Sequence, residues 1–143
     1  MSNRLTRGNA LLGKITGKSL KVPMAEGDLV AGPVVTLEFD VADHATQNVD
    51  KVITNAMIVT DAWVIANSTN GANANTVQLD NGVAGAHITD AISTNAKVAG
   101  DVVRAASIFP ANWSLAAGAT LRIIQTKAGG THAFKVVIVG YIK

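Results

Sequence analysis

From Val34 onward the chain is a succession of short apolar runs, each closed by Gly, Asn or Ala. The last two are the plainest: residues 119–127 (ATLRIIQTK) and 131–143 (THAFKVVIVGYIK), separated by Ala128-Gly129-Gly130. Short apolar runs with period-two alternation suit half-buried strands, and glycine or asparagine between them suits the turns. A chain written this way is confined to sheets, and its final pair reads as a hairpin forming the stable centre of the fold. Acids, bases, nucleophiles and ligands are sparse between the runs, which points to packing and assembly in place of catalysis.

Residues 34–39 (VVTLEF), introduced by Gly32-Pro33, place Val35, Leu37 and Phe39 on one face. Residues 40–50 (DVADHATQNVD) read as a polar loop. The stretch 51–66 (KVITNAMIVTDAWVIA) is too long for one flat strand: either it bends near Thr60-Asp61, or its first half is buried on both faces. A turn-rich loop over residues 67–75 follows, then 76–80 (TVQLD) alternates and ends at Asn81-Gly82, a dipeptide favoured in tight hairpins. In residues 86–96 (AHITDAISTNA) Ile88 and Ile92 stand at i, i+4 with Thr89 or Asp90 available as a cap, so a single-turn helix competes with an irregular crossover. Residues 101–108 and 119–127 are strands, joined by a loop over 109–118 with Pro110 and Gly118 as turn signals. Seven to nine short strands, counting one over residues 15–22, predict an all-β fold: a single-domain β-sandwich or jelly roll over residues 25–143, with an extended N-terminal arm over 1–24. An aromatic content of 4% argues against an immunoglobulin-type domain.

At 143 residues the chain suffices for one domain with a real core, and the absence of cysteine removes disulfides and thiolate metal sites. Charged residues make up only 15%, against about 25% in an average domain. A surface of Ala, Gly, Thr, Ser and Asn is readily covered by a neighbour, because few charges have to be desolvated. No stretch has the length and apolarity of a membrane span, and the N-terminus carries no apolar signal segment, so neither membrane insertion nor export by that route is expected. Charge is unevenly placed: Arg4, Arg7, Lys14, Lys18 and Lys21 precede the first acid, Glu26, leaving seven of the twelve cations to face all ten acids. The opening segment is thus either a basic arm for an acidic partner surface or a solubilising leader that also supplies the edge strand over residues 15–22.

The chemistry motifs fail on their own terms. Gly8 and Gly13-Lys14 have phosphate-loop spacing, but Ile15 stands where the motif needs Ser or Thr for magnesium, and no buried strand precedes Gly8. Asp40, Asp43 and His44 share a loop where a divalent ion could sit, but useful metal sites need three or more convergent ligands and the sequence offers no obvious completion, so a solvated loop is the better reading. His87 and His132 are far apart in sequence, and there is no Gly-x-Ser-x-Gly elbow. Trp63, within DAWVIA, reads as core; Trp113, beside Asn112 and Pro110, reads as packing under its loop or meeting a neighbouring subunit, with sugar stacking as the minority reading. Asn67-Ser68-Thr69 and Asn112-Trp113-Ser114 are glycosylation sequons by pattern alone.

The order of residues 59–65 (VTDAWVI), 75–82 (NTVQLDNG), 88–92 (ITDAI), 104–108 (RAASI) and 115–122 (LAAGATLR) resembles small head proteins of tailed bacteriophages. The similarity spans residues 52–143 and rests on strands and turns. It implies a capsid decoration (cement) protein: a jelly-roll or sandwich domain on the outside of the head, stabilising it, with the major capsid protein as partner. It further implies self-association, a homotrimer before a homodimer, in a protein made in the host cytoplasm and carried on the virion. No cofactor, catalytic residue, metal, membrane or specific nucleic acid is expected. Capsid or partner contacts are expected from Arg4, Arg7, Lys14, Lys18, Lys21 and Trp113. The alternative is a carbohydrate or receptor-binding module of a head spike or fibre, with Trp113 and the 67–75 loop as contacts.

Overall fold

The structure, a computed structural model, describes residues 32–143. The five arm cations, the strand expected over residues 15–22 and the phosphate-loop-like stretch 8–16 lie outside the described residues.

Every regular element among the described residues is a strand: β1 (Val34–Val41), β2 (Gln47–Val52), β3 (Met57–Ala66), β4 (Thr76–Asp80), β5 (Ile92–Ser93), β6 (Val102–Arg104), β7 (Ser114–Leu115), β8 (Thr120–Thr126) and β9 (Phe134–Ile142). Apart from β7, which joins the start of β3, the strands pair β1 with β9, β2 with β8, β3 with β6 and β4 with β5, all antiparallel. This is one long antiparallel ladder folded on itself. Pairing of β9 with β3 and of β8 with β4 closes it into two sheets, ordered β1-β9-β3-β6 and β2-β8-β4-β5. Such an arrangement is a jelly roll, so the all-β sandwich expected from the alternating runs is the observed fold.

The expected closing hairpin is corrected. β8 and β9 do not pair; each is a central strand of a different sheet, and residues 127–133 carry the chain across from one sheet to the other. Seven residues exceed the two to five typical of hairpin loops, and each strand already has two neighbours. Both strands do sit at the centre of the sandwich. In β9 Phe134, Val136 and Ile138 are buried facing Leu121 and Ile123 of β8, with Val59, Val64, Val77 and Leu79 completing the centre.

The stretch 51–66 divides. Lys51-Val52 ends β2, residues 53–56 turn, and β3 starts at Met57, because Ile53 is held at the turn by backbone bonds to Gly118 and Ala119. The expected bend at Thr60-Asp61 is present as a β-bulge: the register with β9 shifts between Val59 and Asp61. Thr60 is the extra residue, so the inward set changes from Met57 and Val59 to Ala62, Val64 and Ala66. Opposite the bulge stands Gly140, where a Cβ would lie 2.1 Å from the Ile58 carbonyl oxygen. No side chain fits there.

The loop expected over residues 40–50 contracts to 42–46, since β1 runs on through Asp40-Val41 and β2 begins at Gln47. No helix forms in residues 86–96. His87 bridges Asp80, Thr89 bridges Ile108, and Ile92-Ser93 form β5. The Thr89 hydroxyl, free to cap a helix, instead accepts the Leu79 N–H at 3.2 Å, and the Ile88 and Ile92 side chains enter the core from extended backbone. Asn81-Gly82 does turn the chain, but the return reaches pairing only at His87, so the connection is longer than a two-residue hairpin. The strand expected over 101–108 shortens to β6, and the loop 109–118 contains β7.

Candidate assembly surface

Most reactive groups of the described residues are spent on holding the fold together. The connections 42–46, 67–75, 94–101 and 127–133 all lie at one end of the jelly roll, and a buried polar knot ties them. Asn75, fully buried, accepts the N–H groups of Ala128 (2.5 Å) and Gly129 (3.2 Å) on Oδ1 and donates from Nδ2 to Gly129 O (2.9 Å) and to Asn70 Oδ1. Asn70 donates to Thr94 O at 2.5 Å, and Gln125 donates to His132 O at 2.7 Å. Gly130 takes φ +65° against this knot, and a Cβ there would meet the Asn70 carbonyl oxygen at 2.8 Å.

His132 belongs to the same knot. It is buried, tilted against the Phe134 ring at 4.8 Å, and placed with Nε2 2.9 Å from Thr94 Oγ1. Nδ1 has no partner among the described residues. The bonding assigns the proton to Nε2, which donates to Thr94 Oγ1, leaving Nδ1 a bare acceptor; the Thr94 hydroxyl then donates to Asn75 O at 3.2 Å. Burial pushes the His132 pKa down, because a protonated ring would need a second acceptor.

The loop residues Asp40, Asp43 and His44 do not converge. Asp43 Oδ1 accepts from Lys127 Nζ at 2.6 Å and from the His132 N–H at 2.6 Å, which lower its pKa, while His44 is exposed. Among the described residues no group of three or more His, Asp or Glu is placed to hold a metal ion. His87 pairs through Nδ1 with buried Asp80 at 2.5 Å, at the opposite end of the sandwich from His132. The two histidines therefore share no site.

Trp113 is half-buried and packs on the core, with its carbonyl accepting the Val59 N–H at 3.0 Å. Trp63 does not enter the core as expected. The bulge turns Ala62 and Val64 inward, so Trp63 faces outward with Asp61 and Ile65. The signal was present: an aspartate two residues before the tryptophan shares its face in any strand. Arg104 Nε donates to Asp61 Oδ1 at 2.9 Å, and its guanidinium lies 5.9 Å from the Trp63 ring centre. Trp63, Val102 and Arg104 line a shallow hollow of about 310 Å³.

The two outer faces differ in chemistry. On the β2-β8-β4-β5 sheet the outward positions are mostly polar, Asn48, Asp50, Gln78, Arg122 and Thr126 beside the apolar Val52 and Ile124, with Arg122 held on Asp50 by bonds of 2.7 and 2.8 Å. On the β1-β9-β3-β6 sheet the outward positions include Val34, Val139, Tyr141, Ile58, Trp63, Ile65 and Val102, with Val34 71% and Val102 60% exposed and Val137 buried. Most charges on this second face are paired, Arg104 with Asp61 and Lys135 with Glu38 at 3.1 Å, while Asp40 makes no ion pair among the described residues. A largely apolar face with most of its charges paired internally can be covered with little desolvation cost.

No family model matches the chain, and no curated protein matches it. Among solved structures it is similar to a chain of the cyanophage Pam1 capsid asymmetric unit, with 15% identity and a TM-score of 0.58, over 89% of this chain and 95% of that one. At this identity the likeness is one of fold, and it extends over nearly the whole of both chains.

Proposed function

We propose that the protein is a structural component of a phage virion, a capsid decoration protein that docks on the outer surface of the head and stabilises it. The observation that carries this reading is the largely apolar outer face of the β1-β9-β3-β6 sheet, on a fold similar to a chain of a cyanophage capsid unit. The occupant of that face is the major capsid protein. Four strands about 4.8 Å apart and about seven residues long at about 3.3 Å per residue cover about 450 Å², roughly half of what each partner contributes to a standard interface. One copy alone therefore holds weakly, and repetition over the shell makes the attachment firm. The basic segment with Arg4, Arg7, Lys14, Lys18 and Lys21 adds contacts to the same partner, and Trp113 supports β3 from its loop. The receptor-binding alternative loses ground because Asn70 and Asn75 of its contact loop point into the polar knot and Trp113 packs on the core.

The test is binding of purified protein to heads prepared without it. The native chain should saturate the heads, Trp63→Glu should lose binding while keeping its cooperative melt, and deletion of residues 1–21 should weaken it. Binding unchanged by Trp63→Glu removes the face from the account, and binding unchanged by the deletion removes the arm.

A further inference from the structure

The four edges of the two sheets are not equally protected. β5 and β6 are only two and three residues long, too short to template another strand. β2 turns Lys51 toward the interior side, where its ammonium lies 5.7 Å from the Phe39 ring centre. Short edges and inward lysines are recognised devices against edge-to-edge pairing. β1 has neither. It runs eight residues in unbroken register with β9, pairs with no other described strand, and contains no lysine, proline or bulge. Its inward residues Val35, Leu37 and Phe39 are only half-buried and, with Ile53, Met57 and Ile142, line an open groove of about 230 Å³.

We infer that β1 is an interface for a second copy of this chain, pairing antiparallel with β1 of that copy about a two-fold axis at Leu37. The sequence of the strand selects this register. Residues directly opposite in an antiparallel pair point to the same face, so the axis must pass through a residue and not between two. An axis at Glu38 opposes that glutamate to its own copy, and one at Phe39 opposes Glu38 to Asp40. One at Thr36 pairs only Val34 to Glu38 within the strand, leaving Phe39, Asp40 and Val41 opposite residues that precede β1. The axis at Leu37 alone sets Val35 against Phe39 and Leu37 against Leu37 over the groove, and Thr36 against Glu38 and Val34 against Asp40 on the outer side. On the groove side apolar side chains then meet only apolar ones, and on neither side do like charges stand directly opposite each other.

The pairing fuses two four-stranded paths into one continuous sheet, β6-β3-β9-β1 followed by β1-β9-β3-β6 of the second copy, and doubles the apolar outer face. It is two-fold, so the unit in solution is a dimer and not the trimer expected from the family resemblance. It does not depend on docking to a capsid and is measured without one.

The full chain in sedimentation equilibrium should give twice its 14.7 kDa. Leu37→Lys, which places a charge on the axis, should shift the mass to that of the monomer while circular dichroism keeps the strand signal. Because the chain has no cysteine, single substitutions report the register independently. Leu37→Cys should form a disulfide-linked dimer on mild oxidation, since opposed Cβ atoms stand about 5 Å apart, whereas Asp40→Cys, separated from its copy by about 20 Å along the strands, should not. A monomeric or trimeric mass for the native chain, or cross-linking of Asp40→Cys as fast as Leu37→Cys, overturns the inference.

Discussion

Asn75 has a side chain fully buried beneath the crossing from β8 to β9, and its amide satisfies two backbone N–H groups, one backbone carbonyl and the Asn70 side chain. Asn75→Ala removes all four bonds. A net value of about 1 kcal/mol for each gives about 4 kcal/mol. The exposed Ala128 and half-buried Gly129 can recruit water in its place, which lowers the expected cost to about 3 kcal/mol, or about 10 °C in Tm. Asn73→Ala supplies the comparison, because Asn73 is half-buried and contributes a single bond to Asn70 O at 2.7 Å, so its loss should cost about 1 kcal/mol. Urea unfolding followed by circular dichroism measures both, and an unchanged m-value shows that the difference lies in stability. If Asn75→Ala costs less than about 1 kcal/mol, the polar knot does not hold the crossover and the reasoning fails.

Stability should fall as pH drops below 6.5, the usual histidine value. His132 is held neutral by burial, so in that range the unfolded chain takes up a proton that the folded chain refuses; the loss saturates once pH passes the lowered folded value, and His132→Leu should flatten this part of the profile in denaturant titrations. A second decline should appear as pH falls below 3.8: Asp43, Asp50 and Asp61 have pKa values lowered by Lys127, Arg122 and Arg104, and their stabilisation is present above that value and lost as they protonate, visible in the same titrations as a dependence on salt. Gly140→Ala should leave little folded protein in a solubility and melting assay, because its Cβ would have to displace the Ile58 backbone by more than an ångström at the centre of the sheet.

The alternation of β1, β4, β8 and β9 is a local property, and so these strands are legible in the residues themselves. The bend at Thr60 is legible for the same reason, since the apolar phase changes across it. Pairing is not local. Residues 119–143 describe two strands and a glycine turn whether the strands pair with each other or with others, and the choice was made by β2, β4, β1 and β3 competing for the same edges. Ile88 and Ile92 satisfy the spacing of a helix, yet the Leu79 N–H and the bridges to Asp80 and Ile108 draw that stretch into extended backbone. The polar knot was hidden because Asn70 and Asn75 look like ordinary turn formers, and only the crossing of residues 127–133 above them gives their amides buried partners. The apolar outer face lay concealed by a wrong phase at Trp63, which the neighbouring Asp61 would have corrected.

The decoration role is tested most directly by electron cryomicroscopy of the intact particle at a resolution that separates subunits. Density for this jelly roll is expected on the outer surface of the head, with the face bearing Trp63, Val139 and Tyr141 turned toward the shell. Density confined to a tail fibre or to the interior of the head, or a head shell carrying none of it, contradicts the account.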